Sequence, residues 1–267
     1  MFDPKLFVGV DVGSSYVKLA VVNETGEVLL RTLHASVEEF GSLSQALRDR
    51  ALHELRVKPS AVIATVATGY GRDCVLFADA VKTELACHAR GAFDSGRGAM
   101  TVVDIGGQDN KVIRVTAEGA VEDFALNRKC AAGTGSFLEV LSRRLGVSME
   151  ELSSLAKHAK TRQTLSSFCT VFAETEVLER MKAGEPREEL AMAAYRSIAK
   201  RVMEMTKLVP PIVMSGGVVQ YHPGVKQALE ELLEISVEVA PQPQFTGAVG
   251  AAHFARLRAG LPQPVLR

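Results

Sequence analysis

Two cysteines each stand immediately before a pattern that predicts a helix. Cys130 opens the segment Cys-Ala-Ala-Gly-Thr-Gly, in which Gly133 and Gly135 lead into leucines at helical spacing, and Cys169 opens Cys-Thr-Val-Phe-Ala-Glu-Thr-Glu-Val. The first N–H groups of a helix have no partner within it and its dipole is positive there, so this end stabilises a thiolate or a phosphate. Glycine also lets the backbone approach a bulky anion closely. Taken alone, a cysteine before a helix is more often an ordinary buried residue, and the motifs around it are what favour a site.

A second candidate site lies near the N-terminus, where two β-rich runs flank a turn. Asp11 is followed by Gly13, Ser14 and Ser15, and Lys18 falls on the strand after the turn. Such a turn offers backbone N–H groups and two hydroxyls to a phosphate, and the carboxylate is free to hold a hydrated cation. A hairpin turn of this kind is common in proteins, so the motif does not by itself establish a phosphate site.

The hairpin motif occurs twice. Asp104 and Gly106 stand 93 residues after Asp11 and Gly13, again between two strand-like runs. This internal repeat predicts two related domains, each with a hairpin whose turn carries an acidic residue and a glycine. The glycine-rich stretch 91–98 is the best candidate for the boundary that separates them.

The rest of the chain alternates strand and helix patterns. A turn at Thr25-Gly26 leads to a third strand and completes an antiparallel meander. Ser148 and Glu151 form a capping-box pattern. Apolar spacing predicts helices over 37–55, 83–91, 148–159, 191–209 and 247–259, a strand over 61–67, another within 210–220 that ends in a Gly-Gly turn, and a short one at 237–240.

Composition restricts the class of protein. The 267 residues exceed the usual size of one hydrophobic core, and 47% hydrophobic with 23% charged residues is typical of a well-packed protein. A net charge of zero gives no electrostatic reason to expect nucleic acid or an anionic membrane as a partner. With no signal peptide and no run of ~20 apolar residues, we expect a cytoplasmic location. The four cysteines contain no Cys-x-x-Cys pair, which argues against disulfides and a zinc knuckle.

Several features together resemble the nucleotide-binding core shared by actin and the sugar kinases. They are the two hairpins, the strand ending in Ser215-Gly-Gly and the helix that opens Gly247-Ala-Val-Gly-Ala-Ala. The resemblance implies an α/β, two-domain actin/hexokinase-like ATPase fold with duplicated ribonuclease H-like domains. The first would span 1–98 and be completed by helix 247–260, and the second would span 99–246 and carry both cysteine motifs. In that superfamily the hairpins bind the triphosphate from opposite domains, and the Gly-Gly turn lies against adenosine.

Four motifs resemble one group more closely. Lys129-Cys-Ala-Ala-Gly-Thr-Gly-x-Phe-Leu, Cys169-Thr-Val-Phe-Ala-Glu-Thr-Glu-Val, Ala67-Thr-Gly-Tyr-Gly-Arg and Asp104-Ile-Gly-Gly-Gln-Asp are similar to the activators, or archerases, of 2-hydroxyacyl-CoA dehydratases, relatives of the benzoyl-CoA reductase ATPase subunits. The resemblance covers the chain from Gly9 to about residue 255. It implies a homodimer that shares one 4Fe-4S cluster, to which each subunit contributes Cys130 and Cys169. Four thiolates from two cysteines and a twofold axis agree with the needs of such a cluster.

The same resemblance implies the reaction and the role of each site residue. A reduced ferredoxin or flavodoxin would load the cluster, ATP with Mg²⁺ would bind, and the electron would pass to an iron–sulfur dehydratase or reductase as ATP is hydrolysed. Asp11 and Asp104 would hold the hydrated Mg²⁺ ion, and Gln108, or its neighbour Asp109, would position the attacking water. The phosphate-binding residues would be Gly13, Ser14, Ser15, Lys18, Gly106 and Gly107. The base and ribose would contact Gly216, Gly217, Gln220 and Gln244, while Gly133 and Gly135 would approach bound cofactor.

Two other functions remain open on the sequence. An ATPase subunit of an aryl-CoA reductase has the same cysteines but needs a second, different ATPase chain. A sugar or acetate-type kinase would have the same fold with incidental cysteines, although no obvious sugar-binding insertion lies between the hairpins. Cys74 and Cys87 match no ligand motif, so we interpret them as structural.

Overall fold

Strands and helices alternate along the chain in the computed structural model, which describes residues 4–37, 39–94, 98–127, 131–166 and 169–262. The strands are β1 (Leu6–Val12), β2 (Tyr16–Val22), β3 (Val28–Ala35), β4 (Val62–Gly69), β5 (Ala80–Val81), β6 (Met100–Ile105), β7 (Asn110–Val115), β8 (Val121–Asn127), β9 (Ile212–Ser215) and β10 (Glu238–Val239). The helices are α1 (Phe40–Glu54), α2 (Glu84–Phe93), α3 (Gly135–Leu145), α4 (Met149–Ala156), α5 (Thr170–Lys182), α6 (Arg187–Met205), α7 (Gly217–Tyr221), α8 (Gly224–Leu233) and α9 (Thr246–Arg258).

The first sheet has the order β3-β2-β1-β4-β5. Strands β1, β2 and β3 form the predicted antiparallel meander, and β4 lies parallel to β1 on its other side. Every residue of β1 is buried, because the strand lies inside the sheet with helices packed against it. The continuous apolar run of this strand is what burial on both faces requires.

The second sheet has the order β10-β9-β6-β7-β8, in which β9 lies parallel to both β6 and β10. Its core is closed mainly by α6, whose residues from Leu190 to Ala199 are buried without interruption, and by α3, α4 and α8. The described residues thus form two five-stranded sheets with helices, and the predicted α/β class is confirmed.

Two compact units result from these packings. The first comprises Met1–Met100, Ile113–Asp123 and Ala240–Arg267, and the second comprises Thr101–Val112 and Phe124–Val239. The domain limits expected from the sequence, 1–98 with 247–260 and 99–246, stay a prediction. None of the described helices is long and apolar enough to cross a membrane.

Element limits differ from the sequence prediction where packing or a proline decides them. Helix α2 continues through Gly91 to Phe93, and α6 begins at Arg187, directly after Pro186, instead of at residue 191. Helices α7 and α8 were not predicted; residues 218–220, placed in the predicted strand 210–220, belong to α7. The capping box of α4 is confirmed, since Ser148 accepts a hydrogen bond from the Glu151 backbone while the Glu151 carboxylate accepts one from the Ser148 backbone.

Small residues allow α2 and α9 to pack backbone to backbone in the first unit. A Cβ atom on Gly250 would stand 1.8 Å from the Cys87 carbonyl oxygen, and one on Gly91 would stand 2.1 Å from the Thr246 carbonyl oxygen. Gly9 on β1 meets the backbone of α9 in the same way, 2.0 Å from the Ala248 oxygen. The spacing of these three elements therefore depends on the absence of side chains.

Gly250→Ala should lower the free energy of unfolding by about 2–3 kcal/mol, because the added methyl group overlaps backbone atoms that cannot move independently. Gly217→Ala is the matched control, since its Cβ atom would have no neighbour within 4 Å and the expected change is under about 0.5 kcal/mol. Urea denaturation of both variants measures the difference. Equal stability of the two would contradict the backbone packing.

One buried histidine makes the second unit sensitive to acid. The His222 Nδ1 atom lies 2.8 Å from the Tyr195 hydroxyl, and both side chains are buried. Burial lowers the pKa of His222 to about 4, against a weaker opposing attraction to Glu150. The folded protein therefore holds this ring neutral at pH values where an exposed histidine is protonated.

The unfolded chain protonates this histidine near pH 6.5, and the folded chain only near pH 4. The contribution of neutral His222 to the free energy of unfolding is therefore fully present above pH 6.5 and is lost as the pH falls towards 4. The loss should reach roughly 2–3 kcal/mol at pH 4 and should be reduced in His222→Gln. Urea midpoints measured from pH 7 to pH 4 test this.

Candidate functional site

The first hairpin places a buried carboxylate beside an ammonium group. Asp11 and Lys18 are direct cross-strand partners on β1 and β2, and Lys18 Nζ lies 3.1 Å from Asp11 Oδ2. Ser14 and Ser15 are exposed at the turn, which Gly13 closes by donating its N–H to the Tyr16 carbonyl at 3.0 Å. The turn thus presents hydroxyls to solvent directly after a carboxylate that the protein has already paired.

Glycines surround the Asp11 carboxylate. A Cβ atom on Gly69, which has a φ of +92°, would stand 2.6 Å from Asp11 Oδ1. A Cβ atom on Gly247, in the first turn of α9, would stand 3.0 Å from both Asp11 Oδ2 and His88 Nε2. The end of β4 and the start of α9 can approach the carboxylate this closely only because neither residue has a side chain.

The second hairpin repeats the arrangement with more partners. Lys111 Nζ lies 3.3 Å from Asp104 Oδ2 and 2.8 Å from Asp109 Oδ1, and the Ser215 hydroxyl donates to Asp104 Oδ1 at 2.9 Å. The side chains of Lys111 and Asp104 are almost fully buried, whereas Asp109 is 25% exposed. Lys111 bridges two carboxylates, one anchored inside the protein and one that reaches solvent.

The sequence analysis did not assign Lys111 or Ser215 to the site, although Ser215 opens the Ser-Gly-Gly motif. The repeat contains the signal for the lysine, because Lys111 stands 93 residues after Lys18, the same offset that relates Asp104 to Asp11. No local pattern indicates that Ser215 contacts Asp104. It meets Asp104 because β9 lies parallel to β6 with these two residues in register.

Two glycine turns lie side by side in the second unit. Gly106 donates its N–H to the Asp109 carbonyl at 2.9 Å, and Gly216, with a φ of +102°, lies against the Ile105 backbone. Gly217 begins α7, and the predicted residue Gln108 is exposed at the tip of the hairpin. The structure thus brings the turns 106–109 and 216–217 together, next to Asp104.

The two glutamines predicted to contact the nucleoside lie in different units. Gln220 is on α7, and its Oε1 atom is buried without a hydrogen-bond partner within the described part of the chain. Gln244 is half-buried in a single turn of 3-10 helix, Pro243–Phe245, just before α9. A buried amide oxygen without a donor is costly, so Gln220 is the better placed of the two to accept a hydrogen bond from a ligand.

Of the two predicted cluster ligands, Cys169 is described and Cys130 lies outside the described residues. Cys169 is exposed and is the N-cap residue of α5, which has no acidic residue in its first turn. The prediction that Cys169 precedes a helix is therefore confirmed. Within residues 4–37, 39–94, 98–127, 131–166 and 169–262, no three His, Cys, Asp or Glu side chains are grouped to hold a metal ion.

The helices that follow the two cysteine motifs pack against each other. Helices α3 and α5 are in contact, their buried faces contain Phe137, Leu141, Ala173 and Val177, and an ion pair joins Arg144 to Glu174. Gly133 has a φ of +88° and Gly135 is the first residue of α3; both are buried. The motif glycines thus lie inside the protein where α3 begins.

Side chains from two helices hold the segment that leads to Cys169. Glu189 on α6 accepts hydrogen bonds from the Lys160 and Thr161 backbone N–H groups at 2.6 and 3.0 Å. Glu176 on α5 accepts one from the Ser166 N–H at 3.0 Å. Two arginines also bind the backbone of this segment. Arg196 donates a hydrogen bond to the Thr161 carbonyl oxygen at 2.7 Å, and Arg180 donates one to the Thr164 carbonyl oxygen at 3.2 Å. Sequence reasoning did not identify these residues.

The sequence of this chain was compared with models of known protein families. Residues 8–255 match the model of the BadF/BadG/BcrA/BcrD ATPase family. This chain belongs to that family. The match spans both hairpins, both cysteine motifs and most of α9.

Similar members of the family are activator proteins. The activator of lactoyl-CoA dehydratase from Anaerotignum propionicum is 39% identical over 93% of this chain and 96% of its own. The crystal structure of (R)-2-hydroxyglutaryl-CoA dehydratase component A from Acidaminococcus fermentans has a TM-score of 0.90 at 37% identity, covering 96% of this chain and 99% of its own. The activator of 2-hydroxyisocaproyl-CoA dehydratase from Clostridium difficile, solved with bound ADPNP, has a TM-score of 0.87 at 31% identity and 96% coverage of each chain. The predicted actin/hexokinase-like ATPase fold is confirmed.

Lys111→Met should destabilise the protein by about 3–5 kcal/mol, because it removes a buried ammonium group that contacts the buried Asp104 carboxylate. Lys18→Met, the related position of the first hairpin, should cost clearly less, since the Lys18 side chain is 20% exposed and water can replace it. Urea denaturation without nucleotide compares the two. A larger loss in Lys18→Met would show that burial does not set the strength of these pairs.

Proposed function

We propose that this chain is an ATP-dependent activator that transfers a low-potential electron from a 4Fe-4S cluster to a 2-hydroxyacyl-CoA dehydratase or a similar iron–sulfur enzyme. ATP hydrolysis to ADP and phosphate is coupled to the transfer. The observation that carries the proposal is the exposed Cys169 thiol at the start of α5, in a family ATPase whose relatives are dehydratase activators.

The hairpins supply the groups that a magnesium nucleotide requires. Asp11 and Asp104 each contact a lysine ammonium group, so we assign them to a Mg²⁺ ion held through water molecules and not directly. The buried Oε1 atom of Gln220 is suited to accept a hydrogen bond from the nucleoside. The phosphate contacts in the proposal are Gly13, Ser14, Ser15, Lys18, Gly106 and Gly107, and Gly216, Gly217 and Gln244 complete the nucleoside contacts. The bound ADPNP of the similar Clostridium difficile activator supports a nucleotide role.

Two residues are candidates to position the attacking water. Gln108 is exposed at the tip of the hairpin, whereas Lys111 fixes one oxygen of Asp109 and the carboxylate remains partly open to solvent. A fixed carboxylate can accept a proton from water, and an amide can only orient it. Gln108 is the proposed residue, because its exposed amide is free to orient a water molecule at the turn, and Asp109 is the alternative that could also accept the proton.

The chemistry of Cys169 fits an iron–sulfur ligand. Its thiol is exposed, and as the N-cap residue it lies beside the first N–H groups of α5, where it is accessible to a cluster. A 4Fe-4S cluster takes four thiolates and would supply one-electron chemistry at low potential. Cys130 and Cys169 from each of two subunits would provide them, with Gly133 and Gly135 beside the first cysteine of each pair.

Exposed apolar side chains beside Cys169 support a homodimer. Val171 and Phe172, in the first turn of α5, are 66% and 67% exposed. Apolar residues of this size next to a ligand cysteine are what a second copy of the chain would cover in sharing the cluster. The donor in this proposal is a reduced ferredoxin or flavodoxin, and the protein acts in the cytoplasm.

Anaerobically purified protein should contain about two irons and two sulfides per chain in a dimer, because one four-iron cluster is shared by two subunits. Cys169→Ser and Cys130→Ser should each lose this iron. Cys74→Ser, at an exposed cysteine outside the motifs, should retain it. Iron and sulfide analysis together with the mass of the assembly measures all three.

A metal-free protein that transfers phosphate from ATP to a sugar or to acetate would contradict the proposal and favour the kinase. Iron that is bound only when a second, different ATPase chain is present would instead indicate a subunit of an aryl-CoA reductase.

A further inference from the structure

The turn of the second hairpin is bonded directly to the segment that follows Cys130. The Asn110 side chain, which is 1% exposed, donates from Nδ2 to the Gly133 carbonyl oxygen at 2.7 Å. Gly133 comes three residues after Cys130 in the chain. One buried side chain therefore joins the first residue of β7, directly after the hairpin turn, to the segment that follows Cys130.

The start of α3 is bonded to the same turn through its backbone. Gly135 donates its N–H to the Gly106 carbonyl at 2.9 Å, and Ser136 donates its N–H to the Gly107 carbonyl at 2.8 Å. The Ser136 hydroxyl donates to the Gly107 carbonyl as well, also at 2.8 Å. The first N–H groups of a helix normally lack protein partners, and here two of them are satisfied by the two glycine carbonyls.

The start of α3 and the turn 106–107 are closely packed. A Cβ atom on Gly135 would stand 3.1 Å from Gly107 Cα and 3.4 Å from the Gly106 carbonyl oxygen. Without side chains, the two backbones touch directly. A shift of the turn towards α3 would therefore have to move the start of the helix as well.

Planarity of the peptide group connects the two sides of the turn. The peptide group that carries the Gly106 carbonyl also carries the Gly107 N–H, and the next one carries the Gly107 carbonyl and the Gln108 N–H. If these N–H groups bind a phosphate, each peptide group has the anion on one edge and α3 on the other. A rotation towards the phosphate then displaces the acceptor of Gly135 or Ser136, and bonds made at both edges of one peptide group strengthen each other.

We propose that Asn110 and Ser136 are positioning residues that couple nucleotide binding at the Gly106–Gly107 turn to the segment following Cys130. The inference rests on the proposed function, since it takes this turn to bind the nucleotide phosphates. It goes beyond that function by naming the bonds through which one site acts on the other. All of these contacts lie inside the second unit.

Hydrogen–deuterium exchange of the backbone in residues 131–141 tests the coupling, with Mg-ADP as the probe and the full chain as purified anaerobically. In the wild type, Mg-ADP should slow exchange in this segment, because it restricts the turn that holds the Gly135 and Ser136 N–H groups. In Asn110→Ala and in Ser136→Ala the ratio of rates without and with Mg-ADP should shrink by roughly 3- to 30-fold. Calorimetry on the same samples measures Mg-ADP affinity separately.

Ser142→Ala is the matched control on the same helix. Its hydroxyl donates to the Glu139 carbonyl within α3 and has no part in the contact with the hairpin, so this variant should keep the ratio of the wild type. Should Asn110→Ala fail to fold, Ser136→Ala decides the matter, because it retains the backbone bond to Gly107 and removes only the hydroxyl.

Three results would overturn the inference. The first is that Asn110→Ala and Ser136→Ala fold, bind Mg-ADP and still show the wild-type ratio of exchange rates without and with Mg-ADP. The second is a wild-type protein that binds Mg-ADP by calorimetry without any change of exchange in residues 131–141; the proposed function would survive both of these. The third, no binding of Mg-ADP by the wild type, would remove the nucleotide assignment together with the coupling.

Discussion

Each repeat buries a carboxylate at the end of its first strand, and much of the structure around the hairpins follows from the need to compensate that charge. A buried carboxylate costs several kcal/mol unless an opposite charge and hydrogen bonds accompany it. In the first hairpin the compensating lysine stands directly across the ladder, Asp11 opposite Lys18. A slip of one residue would turn the lysine to the other face of the sheet. The charge pair therefore forms only when β1 and β2 are in the correct register.

The second hairpin satisfies the same requirement with more partners, and this changes its connections. Lys111 is shared by Asp104 and Asp109, so the turn must bend back towards its own first strand. In this turn the carbonyls of Gly106 and Gly107 accept hydrogen bonds from the start of α3. In the first hairpin glycines meet the carboxylate itself, whereas here a helix start meets the turn. The two repeats thus share the charge pair and differ in what is built on it.

The features that could be predicted from the sequence are those determined by residues close together in the chain. Alternating strands, the glycine turns and the position of Cys169 before a helix are all confirmed, because each depends on residues close in the chain. Lys111 could have been found from its offset to Lys18, since the repeat preserves both members of the pair. The Asn110 bond to Gly133 could not, because it joins residues 23 apart that share no periodic pattern. Gly91 inside α2 reads as a helix end until α9 is packed against it.

The two cysteine motifs are held by different parts of the second unit. The loop after Cys130 is bonded to the hairpin turn, whereas the segment before Cys169 is bonded to carboxylate and guanidinium groups of α5 and α6, with Glu189 and Arg196 the most buried of them. In the proposed coupling, a displacement of the turn would act first on the segment after Cys130, while ion pairs and backbone bonds would hold the segment before Cys169 in place. In the proposed shared cluster, the two thiolates of one subunit would then move relative to each other. Because hydrogen bonding and solvent exposure at the sulfurs set the potential of such clusters, unequal anchoring would give nucleotide binding, in the proposed function, a direct means of changing that potential.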